Sequence, residues 1–331
     1  MTVWHDCRQI GLEGQGWPKQ GGDRDYCRLP AHARGKVPEA VWELGRHTAG
    51  LCVRFRTEAP ALQVRWELAG EVLAMAHMPA TGVSGIDLYA RSPGGRWRYL
   101  ASGQPQAGSN EAAFTGWERG AELLLYLPLY NGISRMEVGI PAGMSISPVP
   151  GEPGVKPAVF YGTSITQGGC ASRPGMAATA IVGRALDLPV VNLGFSGSGR
   201  MELALAELVG ELEACLYVVD CLGNMDPDLV RERVAPFVHR LREARPETPI
   251  LLVEDTHLFD AVPTVKGKLL RRECQGLRRQ GAKALHFLSA KGMLGRDGEG
   301  TVDGGHPNDL GMMRQAQVFV RAVGALLRRP A

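Results

Sequence analysis

Residues 148–157, Pro-Val-Pro-Gly-Glu-Pro-Gly-Val-Lys-Pro, carry four prolines and two glycines. Proline has no backbone N–H and glycine has the most backbone freedom to lose, so this stretch resists both helix and sheet ladder. It reads as a linker, and the apolar periodicity differs on its two sides. A single core usually stops growing at roughly 250–300 residues, and this chain has 331. The expected organisation is a first domain over 1–147, a linker over 148–157 and a second domain over 158–331.

Before the linker the period is two. Val53 and Phe55 alternate with Arg54 and Arg56, and Leu62, Val64, Trp66 and Leu68 alternate with Gln63, Arg65 and Glu67. Such alternation marks half-buried strands. Ile86, Leu88 and Ala90 lead through Ser92-Pro93-Gly94-Gly95 to Trp97 and Tyr99, as in a hairpin with a Pro/Gly turn. The apolar run Leu123 to Leu129 suits a strand buried on both faces. No helical pattern of useful length interrupts this region, so it reads as a β-sandwich ending near Pro141. Residues 1–50 are rich in Gly and Arg, with weak periodicity.

After the linker, apolar strands alternate with helices. Strands are expected at 158–161, 189–193, 215–220, 249–254 and 284–288, and their lack of polar breaks suits a parallel sheet covered on both faces. Helices are expected near 174–187, 200–213, 227–245, 265–281 and 309–328. On the last, Met312, Ala316, Phe319, Val320, Val323 and Leu327 recur at helical spacing and should face the core. Asp226-Pro227 looks like an N-cap followed by proline at the first helical position. Five strand–helix units give a three-layer, doubly wound α/β domain of flavodoxin-like type.

Each strand is followed by small and polar residues: Ser164 after the first, Gly194-Phe195-Ser196-Gly197 after the second, Gly223-Asn224-Met225 after the third, Glu254-Asp255-Thr256-His257 after the fourth, and Asp303-Gly304-Gly305-His306 after the fifth. Doubly wound sheets gather ligands at the carboxyl ends of their strands, so one crevice can collect all five groups. Ser164 could be a nucleophile if His306 reaches it as base, with Asp303 orienting the imidazole. The backbone N–H groups of Ser164 and Gly197 and the side-chain amide of Asn224 could receive the negative oxygen of a tetrahedral intermediate. Each residue also has a plainer role open to it. Gly162-Thr163-Ser164 could be a polar turn, Asn224 part of a helix-start turn, Gly197 a flexible-loop glycine, His306 a loop residue and Asp303 a solvated carboxylate. The stretch is not the Gly-x-Ser-x-Gly elbow, because position 166 is threonine.

The formal charge of +3 is small for this length and gives no reason to expect nucleic acid or an anionic membrane as partner. The cluster Lys266, Lys268, Arg271, Arg272, Arg278 and Arg279 reads as a solvated helix face. No apolar run approaches the ~20 residues of a membrane span, and the N-terminus has no signal-peptide pattern. Seven cysteines without a Cys-x-x-Cys pair fit free thiols in a reducing cytoplasm better than disulfides or a zinc site.

The ordered blocks at Ser164, Gly197, Asn224 and His306 resemble the SGNH (GDSL-like) hydrolases over roughly residues 157–328. The resemblance implies Ser164, Asp303 and His306 as triad, and Ser164, Gly197 and Asn224 as oxyanion hole. Gly85-Ile86-Asp87-Leu88-Tyr89 is similar to the GxDLY domain that precedes one branch of the family. The usual Gly-Asp-Ser is here Gly162-Thr163-Ser164, and Met225 stands where an aspartate is frequent. The function implied is a serine esterase acting on short-chain acyl esters, acetyl foremost, of a small molecule or carbohydrate. No cofactor or metal is expected. Phe195, Met225 and His257 are candidates for the pocket wall. An acyltransferase with the same acyl-enzyme and a non-catalytic glycan-binding protein remain alternatives. The sandwich could wall the site, bind carbohydrate or form the contact of a homo-oligomer.

Overall fold

The computed structural model describes residues 1–17, 26–257 and 262–328. Two compact units emerge. One comprises Met1–Arg28, Arg46–Gly154 and Ser172–Gly175; the other comprises Leu29–Gly45, Val155–Ala171 and Met176–Ala331.

The first unit is a β-sandwich. Its strands are β1 (Thr2–Asp6), β2 (Leu12–Glu13), β3 (Cys52–Thr57), β4 (Ala61–Leu68), β5 (Ile86–Arg91), β6 (Trp97–Gly103), β7 (Ser109–Thr115), β8 (Glu122–Tyr126), β9 (Ile133–Pro141) and β10 (Ile146–Pro148). One antiparallel sheet runs β1-β9-β4-β7 and the other β10-β3-β8-β5-β6, with β2 on β3. The alternation expected over 62–68 is realised on β4: Leu62, Val64 and Trp66 are buried and the residues between them are half-buried. Val53, Phe55, Leu88, Leu123, Leu125 and Val138 join them in the core. The indole N–H of buried Trp66 donates to the Ser84 carbonyl at 3.2 Å, which satisfies a group that would be costly to leave unpaired.

The Gly85–Tyr89 motif has a local physical explanation. A Cβ on Gly85 would lie 2.5 Å from the Thr81 carbonyl oxygen, so only glycine fits. Asp87 is fully buried. It accepts from the Arg173 guanidinium at 2.8 Å, the Gly175 N–H at 2.8 Å and the Ser102 hydroxyl at 2.6 Å. Arg173 also donates to the Tyr89 hydroxyl at 2.6 Å and lies 3.9 Å from the centre of the Tyr99 ring. Burial pushes the Asp87 carboxyl up, against the pull of Arg173 and the hydrogen bonds.

The second unit is the doubly wound α/β domain. Its strands β11 (Ala158–Gly162), β12 (Val190–Gly194), β13 (Leu216–Asp220), β14 (Ile250–Val253) and β15 (Leu285–Leu288) form one parallel sheet in the order β12-β11-β13-β14-β15. The order reverses at β11, which makes its carboxyl end a topological switch point. Helices Ala178–Leu186, Leu203–Glu211, Pro227–Ala244, Val265–Arg279 and Asp309–Leu327 accompany the strands. On the last helix Met312, Ala316, Phe319 and Val323 are buried, while Leu327 in the final turn is exposed. Among the described residues no helix is long and apolar enough to cross a membrane.

Candidate active site

Ser164 opens the short helix Ser164–Gln167 directly after β11, with Thr163 as N-cap accepting from the Ile165 N–H at 3.3 Å. The Ser164 hydroxyl lies 2.8 Å from Nε2 of His306. The other ring nitrogen, Nδ1, lies 2.7 Å from Oδ2 of Asp303. Asp303 and His306 belong to a tight loop before the last helix, closed by the Thr301 hydroxyl and the Val302 N–H, which donate to the His306 carbonyl at 2.7 and 3.0 Å. Burial alone would raise the Asp303 carboxyl; the N–H groups of Gly305 and His306 and the imidazole outweigh it and hold it at about 2. The carboxylate is therefore charged at neutral pH and can stabilise a neighbouring imidazolium.

Gly197 adopts φ +66°, a conformation that disfavours side chains, and no atom would oppose a Cβ there. The backbone conformation, not crowding, calls for glycine. The loop is fixed from the Ser164 helix, because the side-chain oxygen of buried Gln167 accepts from the Ser196 N–H at 2.9 Å. Asn224 lies in a one-turn 3₁₀ segment after β13, and its amide donates to the Ser198 carbonyl. A second amide hydrogen remains for another acceptor. Asp226 caps the next helix by accepting from Asp228 and Leu229 N–H groups at 2.9 and 2.8 Å.

Ser164, His306 and Asp303 are thus brought into one chain of hydrogen bonds, and the Asn224 amide reaches the loop that carries Gly197. Phe195 is fully buried with its ring against Tyr161, and Met225 is buried as well. His257 is exposed and lines a cavity beside Thr256.

Three supports were not singled out from the sequence. Gln167 is one. The Thr166 hydroxyl donates to buried Asp220 at 3.2 Å, linking the Ser164 helix to the end of β13. Lys266, read as part of a solvated face, instead donates to the Leu222 carbonyl at 2.9 Å and pairs with Asp255 at 3.0 Å. It holds the turn that carries Asn224. A polar residue near the start of a helix that follows a strand end is the signal that could have pointed to Gln167 and Lys266. Among the described residues no group of three or more His, Cys, Asp or Glu side chains is placed to hold a metal ion.

Residues 155–324 match the GDSL-like Lipase/Acylhydrolase family, and residues 2–146 match the GxDLY domain, the N-terminus of SGNH-type esterases. A crystal structure from Bacteroides ovatus described as a GDSL-like lipase superposes with a TM-score of 0.90 at 30% identity, covering 99% of this chain and 98% of that one. The chain belongs to the GDSL-like lipase/acylhydrolase family, in the branch with an N-terminal GxDLY domain. The fold is shared more distantly with the salicylyl-acyltransferase SsfX3 of a tetracycline biosynthetic pathway (TM-score 0.78, 22% identity, 99% of this chain and 98% of that one). It is also shared with a family two carbohydrate esterase from Clostridium thermocellum (TM-score 0.62, 15% identity, 84% of this chain and 92% of that one). No curated protein matches the chain.

Proposed function

We propose that the protein is a serine esterase that removes short acyl groups, acetyl foremost, from a small molecule or carbohydrate through an acyl-enzyme. The observation that carries this reading is the continuous relay from Asp303 through His306 to Ser164, with contacts of 2.7 and 2.8 Å. A serine hydroxyl is too weakly acidic to attack an ester unaided. His306 Nε2 takes its proton as Oγ bonds to the carbonyl carbon, and Asp303 steadies the resulting imidazolium. The negative oxygen is received by the N–H groups of Ser164 and Gly197 and the Asn224 amide. The imidazolium then protonates the departing alkoxide as the C–O bond breaks. Water, activated by the same imidazole, releases the acyl group and restores Ser164.

A short acyl group is supported by the small residues Thr163, Ser196 and Ser198, which adjoin Ser164 and Gly197 in the sequence. All seven cysteines are free thiols, which supports a reducing, cytoplasmic setting. The test is a series of p-nitrophenyl esters of rising acyl length, with and without sugar acceptors, run beside Ser164→Ala. Activity should peak at acetyl and fall by roughly three to six orders of magnitude in the variant. A fully active variant would overturn the assignment.

A further inference from the structure

The Gly197 N–H belongs to a four-residue turn. The Ser198 N–H donates to the Phe195 carbonyl at 3.0 Å, which closes Phe195-Ser196-Gly197-Ser198 as a β-turn. Gly197 holds the third place with φ +66°, the positive φ that a type II turn needs there. Glycine permits this shape without enforcing it, because negative φ is as open to it. Bonds from outside the turn must therefore hold it. Gln167 binds the Ser196 N–H on one side of the Ser196–Gly197 peptide. On the other side the Arg200 guanidinium donates to the Gly197 carbonyl at 2.9 Å.

Arg200 is itself held at both backbone groups. Its N–H donates to Oε2 of Glu202 at 2.8 Å, and its carbonyl accepts from the Arg233 guanidinium at 3.3 Å. The same Glu202 oxygen accepts from the hydroxyl of Tyr161, a buried residue of β11 three positions before Ser164. The Tyr161 ring stacks on Phe237 with centres 5.4 Å apart. Between Arg200 and Glu202, Met201 is buried at φ +52°, a strained conformation for a residue with a side chain. Such strain persists where surrounding contacts over-determine the backbone. Arg200 is exposed, and among the described residues its guanidinium makes no ion pair. Its one hydrogen bond there is the bond to Gly197. A chain of bonds thus runs from β11 through Tyr161, Glu202 and Arg200 to Gly197, and Ser164 follows the same strand.

We propose that Arg200 is a positioning residue, which fixes the 195–198 turn so that the Gly197 N–H aims at the oxyanion. The proposal rests on the esterase reading above. Arg200 acts through Gly197 and touches neither the ester nor Ser164 in this role. An oxyanion donor works only within hydrogen-bond distance of the place where the charge forms. A misplacement of about 1 Å can cost roughly a hundredfold in rate.

The test begins with Arg200→Met, which keeps an unbranched apolar side chain and removes the donor. On p-nitrophenyl acetate its kcat should fall by roughly ten- to a hundredfold, with KM changed by less than about threefold. Arg200→Lys should recover most of that loss, because one carbonyl needs one donor and not a planar fork. Both variants should keep the parent Tm. A second arm needs no turnover: hydrogen exchange of the 195–201 segment, read by mass spectrometry. The N–H groups of Ser196, Ser198 and Arg200 are hydrogen-bonded in the fixed turn. They should exchange roughly tenfold faster in Arg200→Met and little faster in Arg200→Lys. A lower kcat together with faster exchange, both restored by lysine, supports the proposal. Unchanged kcat in Arg200→Met overturns it whatever the exchange. A lower kcat with unchanged exchange also overturns it, since Arg200 would then act on the substrate directly. A Tm that falls in step with kcat makes Arg200 a structural residue and overturns it too. If the parent protein cleaves no ester, the esterase reading fails and exchange alone judges the hold on the turn. Faster exchange in Arg200→Met then upholds it, and unchanged exchange rejects it.

Discussion

Asp303 holds His306 at two points. One carboxylate oxygen lies 2.7 Å from Nδ1 of the ring, and the other accepts from the residue's own backbone N–H at 2.7 Å. The Gly305 N–H adds a third bond at 2.9 Å. The same side chain therefore fixes the shape of the loop and the orientation of the imidazole. An amide in its place could still accept from the backbone, but it could present an N–H to Nδ1 and favour the wrong tautomer. Asp303→Asn should accordingly keep its fold and lose about 10²–10⁴ in kcat with little change in KM. Steady-state kinetics on p-nitrophenyl acetate measures this, and a loss of less than roughly tenfold would remove Asp303 from the proposed mechanism. With its carboxyl held at about 2, Asp303 also cannot account for any loss of activity between neutral pH and about pH 4.

Asn224 should act mainly in the transition state, where the negative oxygen forms. Removing one such donor typically costs about 10²–10³ in kcat. Asn224→Ala should fall in that range and still react slowly with a fluorophosphonate at Ser164. Asn224→Asp should be worse, because a carboxylate would face both the oxyanion and the Ser198 carbonyl that now accepts from Asn224. If Asn224 served only to brace that loop, Tm and activity would fall together in both variants. Unchanged kcat in a well-folded Asn224→Ala would exclude it from the oxyanion hole.

Asp220 makes stability depend on pH. It is buried at the end of β13. Burial raises its carboxyl to about 7, with Asp255 adding to the rise and the Thr166 hydroxyl opposing it. Between about pH 4 and pH 7 the folded chain keeps a proton that the unfolded chain has lost. Stability must therefore fall as pH rises through this window and become insensitive to Asp220 above it. Asp220→Asn keeps an acceptor for Thr166 and removes the charge. Its unfolding free energy relative to the parent, measured by urea denaturation, should therefore rise between about pH 5 and about pH 8, by on the order of a few kcal/mol. An offset that stays constant across that range would show that Asp220 ionises as freely in the folded chain as in the unfolded one.

The strands of the parallel sheet were legible because burial on both faces leaves unbroken apolar runs, and β4 because burial on one face leaves alternation. The edge strand β1 was not: its first two residues are exposed and the rest half-buried, so it carries no such imprint. The site blocks could be read because each follows a strand of fixed direction. Their supports could not, because helical periodicity does not say which neighbour a long side chain will reach. Lys266 shares its helix with five other basic residues, yet its ammonium turns to the Leu222 carbonyl 44 residues away in sequence. Phe195 and Met225 sit beside glycine-rich turns that suggest exposure, whereas the local backbone turns both side chains into the core.

Asp87 and Arg173 are 86 residues apart in sequence, and their pairing leads to a prediction with its own pH signature. Asp87 is fully buried, whereas the Arg173 side chain keeps 20% of its surface exposed. Removing one partner of a buried pair leaves the other uncompensated and typically costs about 3–5 kcal/mol. Asp87→Ala should approach that loss, and Asp87→Asn should lose less, because an amide can keep the Ser102 hydroxyl and Gly175 N–H bonded. Arg173→Met is the more telling variant. Without the guanidinium, burial acts on Asp87 with less opposition, so its raised carboxyl should rise further and remain protonated to higher pH. A group whose folded pKa is raised costs stability progressively as pH climbs from its unfolded value to its folded one. The destabilisation caused by Arg173→Met should therefore be small in mild acid and grow toward alkaline pH, while that of Asp87→Ala should vary much less. Urea denaturation across that range measures both. Parallel losses in the two variants at every pH would show that Arg173 contributes only its packing over Tyr89 and Tyr99, and not its charge.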